Sequence, residues 1–199
     1  MNSREIILQA ALRLFMKKGY EKTSMSDIVK ESNFTKGGIY HHFQNKSELF
    51  VETIKLLFQK FHDWEHSTYI NCKNLKELLY TYFKTMSRFK NFLIQITKQE
   101  DVEEYEFLLL MMNTITKFPK IKQLHQQTHK EGLNEIISIF KEAKKNGEIH
   151  TNISPHTLAV MINALGEGTM FYHILNEKLD LEKIGDEYAE IVWNTLRKG

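Results

Sequence analysis

The sequence predicts an all-α protein with two helical parts, and three observations support this prediction. Apolar residues recur at spacings of three and four along most of the 199-residue chain, which is the pattern of helices with one buried face. Only two prolines and nine glycines interrupt this pattern. The hydrophobic content of 42% and the chain length allow a substantial core in one or two domains.

The first helix is expected from about Ser3 to Lys18. Gly19 is its expected stop, because glycine readily takes the left-handed conformation that ends many helices. The face predicted to be buried consists of Ile7, Ala10, Ala11, Leu14 and Phe15.

Two short helices with a tight turn between them are expected next. Ser24 and Asp27 have the spacing of a capping pair that opens the second helix. Thr35 is a favourable N-cap for a third helix that ends near Phe43. This order is the helix-turn-helix arrangement, and within it Ile39 and Phe43 are expected to be buried.

The rest of the chain is expected to continue as longer helices without a flexible linker. A fourth helix follows Lys46, and the later ones are expected at about Asn74 to Phe89, from Val102, at Pro119 to Lys145, at Pro155 to Asn176 and at Leu181 to Leu196. Ser154 and Pro155 suit an N-cap and the first helical position. The sequence therefore predicts one domain at residues 1–46 and a second at residues 47–199.

Charge and composition limit the partners and the compartment. Residues 1–60 contain ten Lys/Arg and six Asp/Glu, while the whole chain has a net charge of +2, so a basic head precedes a mildly acidic body. Cys72 is the single cysteine, which excludes an intrachain disulfide and suits a reducing compartment. No signal peptide and no apolar run of membrane-spanning length is recognised. A soluble, cytoplasmic protein without a membrane partner is expected.

Enzymatic function is not expected. The sequence contains no motif of nucleophilic, zinc-dependent or nucleotide-dependent catalysis, and the strands that support several of these motifs are not predicted. We therefore expect no cofactor and no catalytic residues.

The stretch TKGGIYHH at residues 35–42 combines features that suit DNA contact better than core packing. A glycine within a helix costs about 1 kcal/mol relative to alanine, but the missing Cβ lets the backbone approach a groove wall. Lys36 can reach a phosphate or a guanine edge, and the Tyr40 phenol can donate to the DNA backbone.

The head resembles the DNA-binding domain of the TetR family of bacterial transcriptional repressors. The resemblance covers nearly all of residues 5–50 at unbroken spacing. It is carried by Ala10-Ala11, Leu14-Phe15, Gly19-Tyr20, Thr23-Ser24, Ile28-Val29, Thr35-Lys36-Gly37, Ile39-Tyr40, His42-Phe43, Lys46 and Leu49-Phe50. Beyond residue 60 the resemblance rests on the helical layout and on the GEIHTNISP junction at residues 147–155.

The resemblance implies a dimeric repressor on a palindromic DNA operator. Base-facing residues would be Lys36, Gly37 and Tyr40; phosphate contacts would be Thr23, Ser24, Thr35, His42 and Lys46; His41 would serve in either role. Gly38 stands where many members carry a side chain, which removes one possible base contact. The short N-terminal arm does not favour minor-groove contact. Tyr20 is expected to pack against the third and fourth helices.

The resemblance also assigns the last two helices to a homodimer interface. The stripe expected there consists of Leu158, Met161, Ile162, Leu165, Thr169, Tyr188, Ile191 and Val192, with Gly166 and Gly168 permitting close helix approach. Ordinary packing within the chain is the alternative reading of this stripe.

The middle helices are expected to enclose a pocket for a small-molecule effector. Its lining is predicted to include Phe61, Trp64, Tyr82, Met86, Phe89, Tyr105, Met112, Phe171 and Tyr172, since aromatic and methionine side chains suit a hydrophobic or aromatic ligand. A cationic ligand would require acidic residues among these aromatics. The candidates are Glu65, Glu100, Asp101, Glu103, Glu104 and Glu106, and a solvated charge run is the alternative reading of the last five. Core packing is the alternative for each residue taken singly.

Two further alternatives stay open at the level of sequence. The pairs His62/His66 and His125/His129 have the spacing of metal ligands on one helix face, but no third ligand is assigned, so no metal site is predicted. A helical ligand-binding protein without specific DNA recognition is the rival class. Effector identity, operator sequence and target genes do not follow from the sequence.

Overall fold

The protein is described here from a computed structural model that covers residues 2–176 and 178–197. Within these residues the chain forms nine α-helices and no β-strand. The helices are α1 Ser3–Lys22, α2 Met25–Ser32, α3 Lys36–His42, α4 Lys46–Tyr69, α5 Leu75–Thr97, α6 Glu104–Lys117, α7 Pro119–Lys145, α8 Pro155–Leu175 and α9 Leu181–Arg197. The predicted all-α class is confirmed.

Helix α1 is more deeply buried than its sequence pattern indicates. The predicted face is buried, and Leu8, Leu12 and Met16 on other sides of the helix are buried as well. The reason is tertiary, since α1 packs against both α2 and α6. Gly19 interrupts the helix with φ 75° and ψ 168°, so the predicted stop lies at the expected residue, with a further short turn up to Lys22.

The capping interactions of α2 and α3 agree with the sequence. Ser24 and Asp27 form a reciprocal capping box, in which the Asp27 backbone N–H donates to Ser24 Oγ at 3.1 Å. Thr35 accepts a hydrogen bond from the Gly38 backbone N–H at 3.1 Å. Between the two helices Asn33 takes a left-handed conformation with φ 58°, which turns the chain tightly. The helix-turn-helix is thus built from local signals.

The later helices match the expectations closely, except for α5. This helix continues to Thr97 rather than ending at Phe89, because Phe92 and Leu93 extend its buried face beyond a polar stretch. Helix α7 has the expected bounds. Helix α8 begins with Ser154 accepting from the Thr157 backbone N–H.

The chain separates into two compact units. The first unit comprises Met1–Phe61 and Lys90–Gln127, and the second comprises His62–Phe89 and Thr128–Gly199. Neither boundary coincides with the one expected between residues 46 and 47. The division into a DNA-binding part and an effector-binding part therefore remains a functional prediction.

An aromatic cluster holds the first unit together. The Phe50 ring lies 4.7 Å from Phe15, 4.7 Å from Tyr20 and 4.8 Å from Phe118, measured between ring centroids. Tyr20 also meets Phe118 edge-on at 4.9 Å. Tyr20 thus packs on α4 as expected, while its other large partner is Phe118 between α6 and α7.

The second unit has its own core, built from α5, α7, α8 and α9. Its most buried side chains include Leu79, Phe83, Phe140, Leu158, Ile162, Ala189 and Leu196. Gly185 allows α9 to approach α5, since a Cβ there would lie 3.0 Å from the Phe83 carbonyl oxygen.

Helix α8 alone, among the described helices, is long and apolar enough to cross a membrane by length and composition. Part of the helix contributes instead to the core of the second unit, through Leu158, Ala159 and Ile162. A core helix of a soluble protein meets the same criteria, so this feature is weak evidence for a membrane segment.

Candidate nucleic-acid interface

Helix α3 is fixed in the first unit by its inward face. Ile39 and Phe43 are fully buried, as expected. The Arg4 guanidinium lies 5.2 Å from the centroid of the Phe43 ring, and His42 Nε2 lies 3.0 Å from Ser3 Oγ. These contacts define which side of α3 faces solvent.

The outward face of α3 carries the residues predicted to face bases. Lys36, Gly37, Tyr40 and His41 are all exposed, and Tyr40 retains 43% exposure despite its size. No carboxylate of the described residues pairs with Lys36, whose Nζ lies 5.9 Å from the Tyr40 ring centroid. The face therefore presents one unneutralised cation and one phenol to solvent.

The two glycines of α3 differ in their surroundings. A Cβ added to Gly37 would meet no atom of the described residues within 4 Å, whereas one added to Gly38 would lie 3.3 Å from Thr35 Oγ1. Packing thus gives a partial reason for Gly38 and none for Gly37. A glycine that the fold does not require suits close approach of an external surface.

The predicted phosphate contacts Thr35, Ser24 and His42 are differently placed. Thr35 is exposed and its Oγ1 accepts from Gly38, which leaves its hydroxyl proton for an external acceptor. Ser24 is exposed, but its hydroxyl donates to Asp27 Oδ2 at 2.7 Å. The same capping hydrogen bonds lower the pKa of Asp27, led by the one from the Ser24 backbone. His42 is half-buried against Ser3.

Two of the predicted phosphate contacts have partners within the chain. The buried Thr23 side chain needs correction, while the half-buried Lys46 stays a prediction. The Thr23 side chain is 1% exposed, and its hydroxyl donates to the Gly19 carbonyl at 2.8 Å. Lys46 Nζ donates to the carbonyls of Tyr20 and Thr23, each at 3.0 Å, and lies over the Tyr20 ring at 4.2 Å. Both side chains satisfy backbone carbonyls near the end of α1. Their role in this structure is to fix the fold of the head.

Sequence reasoning missed two residues that tie α1 to the end of α5. Gln9 Nε2 donates to the Ile96 carbonyl at 2.8 Å. Arg13 donates through Nε to Glu31 on α2 at 2.7 Å and through an Nη atom to the Thr97 carbonyl at 3.1 Å. Their i, i+4 spacing on an otherwise apolar helix is the signal that was available. Gln9 and Arg13 both lie in the first unit. Arg13 therefore links α2 to the end of α5.

The residues predicted to line an effector pocket are divided between the two units. Phe61, Tyr105 and Met112 belong to the first, while Trp64, Tyr82, Met86, Phe89, Phe171 and Tyr172 belong to the second. Tyr82 and Met86 are buried, and Phe61, Trp64 and Phe89 are half-buried.

Four of these predictions do not fit an enclosed pocket. Tyr105, Met112, Phe171 and Tyr172 are 49% to 62% exposed, so they are corrected to surface positions. Sequence periodicity cannot distinguish an exposed apolar side chain from one that lines a cavity.

Four residues of the predicted dimer stripe need correction, and the other four stay predictions. Leu158, Ile162, Thr169 and Val192 are at most 8% exposed, and Leu165 and Tyr188 are half-buried within the same unit. Gly166 faces Tyr82 of its own chain, whose hydroxyl oxygen would lie 3.4 Å from an added Cβ. Met161 and Ile191 remain exposed, at 36% and 62%.

Metal ligation has little support in the described residues. Among them no three or more His, Cys, Asp or Glu side chains are placed to hold a metal ion. The His62 and His66 ring centroids lie 6.2 Å apart, and the His125 ring packs 5.7 Å from Phe58.

Known proteins similar to this chain are transcriptional regulators. QacR of Staphylococcus aureus is 29% identical over 205 residues, covering 100% of both chains. LmrA of Bacillus subtilis is 30% identical over 172 residues, covering 84% of each chain. Both are named HTH-type transcriptional regulators, which is a non-enzymatic role.

Solved structures share the fold at lower sequence identity. A TetR-family transcriptional regulator from Cytophaga hutchinsonii has a TM-score of 0.78 at 18% identity, over 97% of this chain and 94% of its own. FadR from Bacillus subtilis, solved in complex with stearoyl-CoA, has a TM-score of 0.70 at 21% identity, over 96% and 98% of the chains.

The family is shown by the relatives together with the head. The profile described as "Bacterial regulatory proteins, tetR family" matches residues 7–53, the stretch that contains the helix-turn-helix and its exposed face. LmrA extends the similarity over 84% of the chain. The chain therefore belongs to the tetR family of bacterial regulatory proteins and is a helix-turn-helix transcriptional regulator.

Proposed function

We propose that the protein is a homodimeric, cytoplasmic repressor that binds a palindromic operator and leaves it when a small hydrophobic or aromatic effector binds. The outward face of α3 is the observation that supports DNA recognition. Lys36, Gly37 and Tyr40 are exposed there. Among the described residues Lys36 has no carboxylate partner, and Gly37 has no neighbour that would exclude a Cβ. Major-groove recognition uses such donors on a short, closely approaching helix.

The exposed side of α8 supports a second copy as partner. Val160, Ala164, Gly168, Phe171 and Leu175 follow one another at helical spacing and are all exposed. Small residues in the middle and large apolar ones towards the ends suit close packing of two such helices. Dimerisation would place two α3 helices on successive major grooves, about 34 Å apart.

A route from effector to α3 is proposed through the first unit. Gln9 and Arg13 attach α1 to the last carbonyls of α5, and Tyr20 packs on Phe118. Displacement of α5 or α7 by an effector would therefore shift α1 and the helix-turn-helix that rests on it. FadR, solved with stearoyl-CoA, shows that another protein of this fold accommodates a small molecule.

Selection of bound sequences from a random DNA duplex pool, with footprinting at physiological salt, tests this proposal. We expect an inverted repeat protected by a dimer, with an affinity that decreases as salt rises, because phosphate contacts release counterions. The Lys145→Ala variant, which alters an exposed lysine of the second unit, should behave like the wild type. Weak binding without sequence preference would favour the rival class, a helical ligand-binding protein.

A further inference from the structure

The junction between α6 and α7 concentrates positive charge in the first unit. Residues 107–130 contain four lysines and no aspartate or glutamate, and three of these lysines are Lys117, Lys120 and Lys122. All three are exposed. Lys117 Nζ lies 3.7 Å from Glu21 Oε1, while Lys120 and Lys122 form no ion pair within the described part of the chain. Two cations at the start of α7 therefore depend on solvent for their neutralisation.

Helix formation does not explain the lysines at the start of α7. A helix N-terminus has a partial positive charge, so acidic residues stabilise the first turn and lysines disfavour it. The first turn of α7 contains no acidic residue, whereas the first turn of α6 contains Glu104 and Glu106. A charge that local stability disfavours suits contact with an external anion.

The start of α7 lies beside the start of α4. Phe118, directly before α7, packs on Phe50 near the beginning of α4, with 4.8 Å between the ring centroids. Further along both helices, His125 packs on Phe58 at 5.7 Å. The two helices therefore run in the same direction within the first unit, and their N-terminal ends lie together.

The start of α4 adjoins the helix-turn-helix. Lys46 Nζ donates to the Thr23 carbonyl at 3.0 Å, directly before the exposed Ser24 that opens α2. The same ammonium group lies 4.2 Å from the centroid of the Tyr20 ring, and this ring meets Phe118 edge-on at 4.9 Å. One aromatic ring thus lies between Lys46 and the α6–α7 junction.

Four lysines at this end of the first unit form a surface that we call the basic edge: Lys22, Lys117, Lys120 and Lys122. Lys22 is exposed in the last turn of α1 and has no ion pair with the described residues. Side chains of a helix tilt towards its N-terminus, so the two lysines of α7 project towards the end where α4 begins. Glu21 pairs with this edge through Lys117, which leaves an excess of positive charge.

We propose that the basic edge contacts backbone phosphates of the DNA that flanks the operator, outside the base pairs that α3 reads. DNA carries about one negative charge per 1.7 Å of helix axis, so a cationic surface next to the helix-turn-helix meets phosphates of the adjoining sequence. Such contacts add affinity without reading bases. This inference rests on the operator binding proposed above.

Fluorescence anisotropy with two DNA duplexes tests the basic edge. Both contain the selected operator; the short duplex ends with the inverted repeat, and the long one continues for about ten base pairs on each side, one turn of the double helix. We expect the wild type to bind the long duplex at least about tenfold more tightly, with a steeper salt dependence, since each added phosphate contact contributes about 0.9 to the slope.

The double variant Lys120→Ala/Lys122→Ala is the diagnostic one. We expect it to bind the two duplexes with nearly equal affinity and to retain the wild-type affinity for the short duplex. Lys130→Ala/Lys141→Ala is the matched control, because it removes two exposed lysines from the part of α7 that belongs to the second unit. The control should retain the wild-type preference for the long duplex. Alanine favours helices, so thermal unfolding should show both variants folded.

Two results would overturn the basic edge. One is a wild-type affinity that does not depend on the flanking DNA, and the other is a flank dependence that the diagnostic and control variants share equally. Scrambled duplexes of both lengths separate this inference from the proposed function. Preference for the operator sequence without flank dependence would support operator binding and contradict the basic edge, whereas the absence of any sequence preference would contradict both.

Discussion

The outward face of α3 and the end of α4 each contain a charge that the described part of the chain leaves unneutralised. Lys36 is exposed, so solvent stabilises its charge and the free protein loses little. Glu65 at the end of α4 is half-buried, and its burial, together with the carboxylates of Glu135 and Glu167, raises its pKa to about 7, so its ionised form destabilises the free protein. An unpaired charge on the surface costs the free protein little, whereas an unpaired half-buried charge lowers its stability.

Replacing Lys36 by alanine is expected to give the largest effect. Loss of one base or phosphate contact should weaken operator binding by about tenfold to a hundredfold. Thermal stability should not change, because Lys36 forms no ion pair with the described residues. Fluorescence anisotropy with the selected operator measures the affinity. An unchanged affinity would contradict the assignment of the outward face of α3 to the DNA interface.

The Glu65→Gln variant tests the other half of the comparison. The folded-state pKa of about 7 lies above the ordinary value of 4.5, so this carboxyl group favours the folded state below pH 4.5 and loses that contribution as pH rises through 7. At pH 8 the variant should be more stable by about 2 kcal/mol after allowance for partial exposure.

Differential scanning calorimetry at two pH values measures this effect. A gain of about 2 kcal/mol corresponds to an increase in Tm of about 4 to 8 °C at pH 8 for a chain of this size. At pH 5 the increase should be much smaller, because Glu65 is then mainly protonated in the folded wild type. Facing groups that also influence the profile are Glu135 on α7, Glu167 on α8 and the tyrosines Tyr69 and Tyr82. Equal gains at both pH values would contradict the role of the buried charge.

The Gly37→Ala variant separates stability from binding at α3. An added Cβ meets no atom in the described part of the chain, so the free energy of unfolding should increase by up to about 1 kcal/mol. Operator affinity should decrease, because the Cβ projects towards the groove wall. Gly132→Ala is the control, since Gly132 lies within α7 and also has open space. That variant should gain stability without losing affinity, as measured by urea unfolding and anisotropy.

Tyr69→Phe is expected to give the smallest effect. Its buried hydroxyl has the Thr85 side chain as a weak partner, because the Thr85 hydroxyl donates to the Tyr82 carbonyl at 2.6 Å. Removing the Tyr69 hydroxyl should leave stability within about 0.5 kcal/mol of the wild type. Tyr82→Phe is the matched comparison, because it removes the hydrogen bond to Asn163 and should destabilise by about 1 kcal/mol. Urea unfolding of both variants distinguishes them. A loss of stability in Tyr69→Phe as large as in Tyr82→Phe would show that the hydrogen bond between Tyr69 and Thr85 is a strong one.

Much of the head was predictable because its signals are local. Ser24, Asp27 and Thr35 cap helices within four residues of themselves, and Gly19 ends the regular part of α1 through its own backbone conformation. Such interactions depend on residue type and spacing, which can be read directly from the sequence. The exposure of Lys36, Gly37 and Tyr40 agrees with the base-facing role that the resemblance implies for them.

The side chains of Thr23 and Lys46 could not be placed from spacing alone. Both belong to the recognised pattern, yet they satisfy carbonyls near the end of α1. A residue type that can bind phosphate can equally bind a backbone carbonyl. The choice depends on which group lies within reach after folding.

The sequence by itself determined the helical class, most helix ends, the helix-turn-helix and the outward residues of α3. Only the tertiary structure decided which apolar faces of α8 and α9 are buried, where α1 meets the end of α5, and that Glu65, Tyr69 and Tyr82 lie together. The physical reason is the separation along the chain of the residues that interact. Helix periodicity and capping act over a few residues, whereas burial, pKa shifts and missing partners depend on groups brought together from distant parts of the chain.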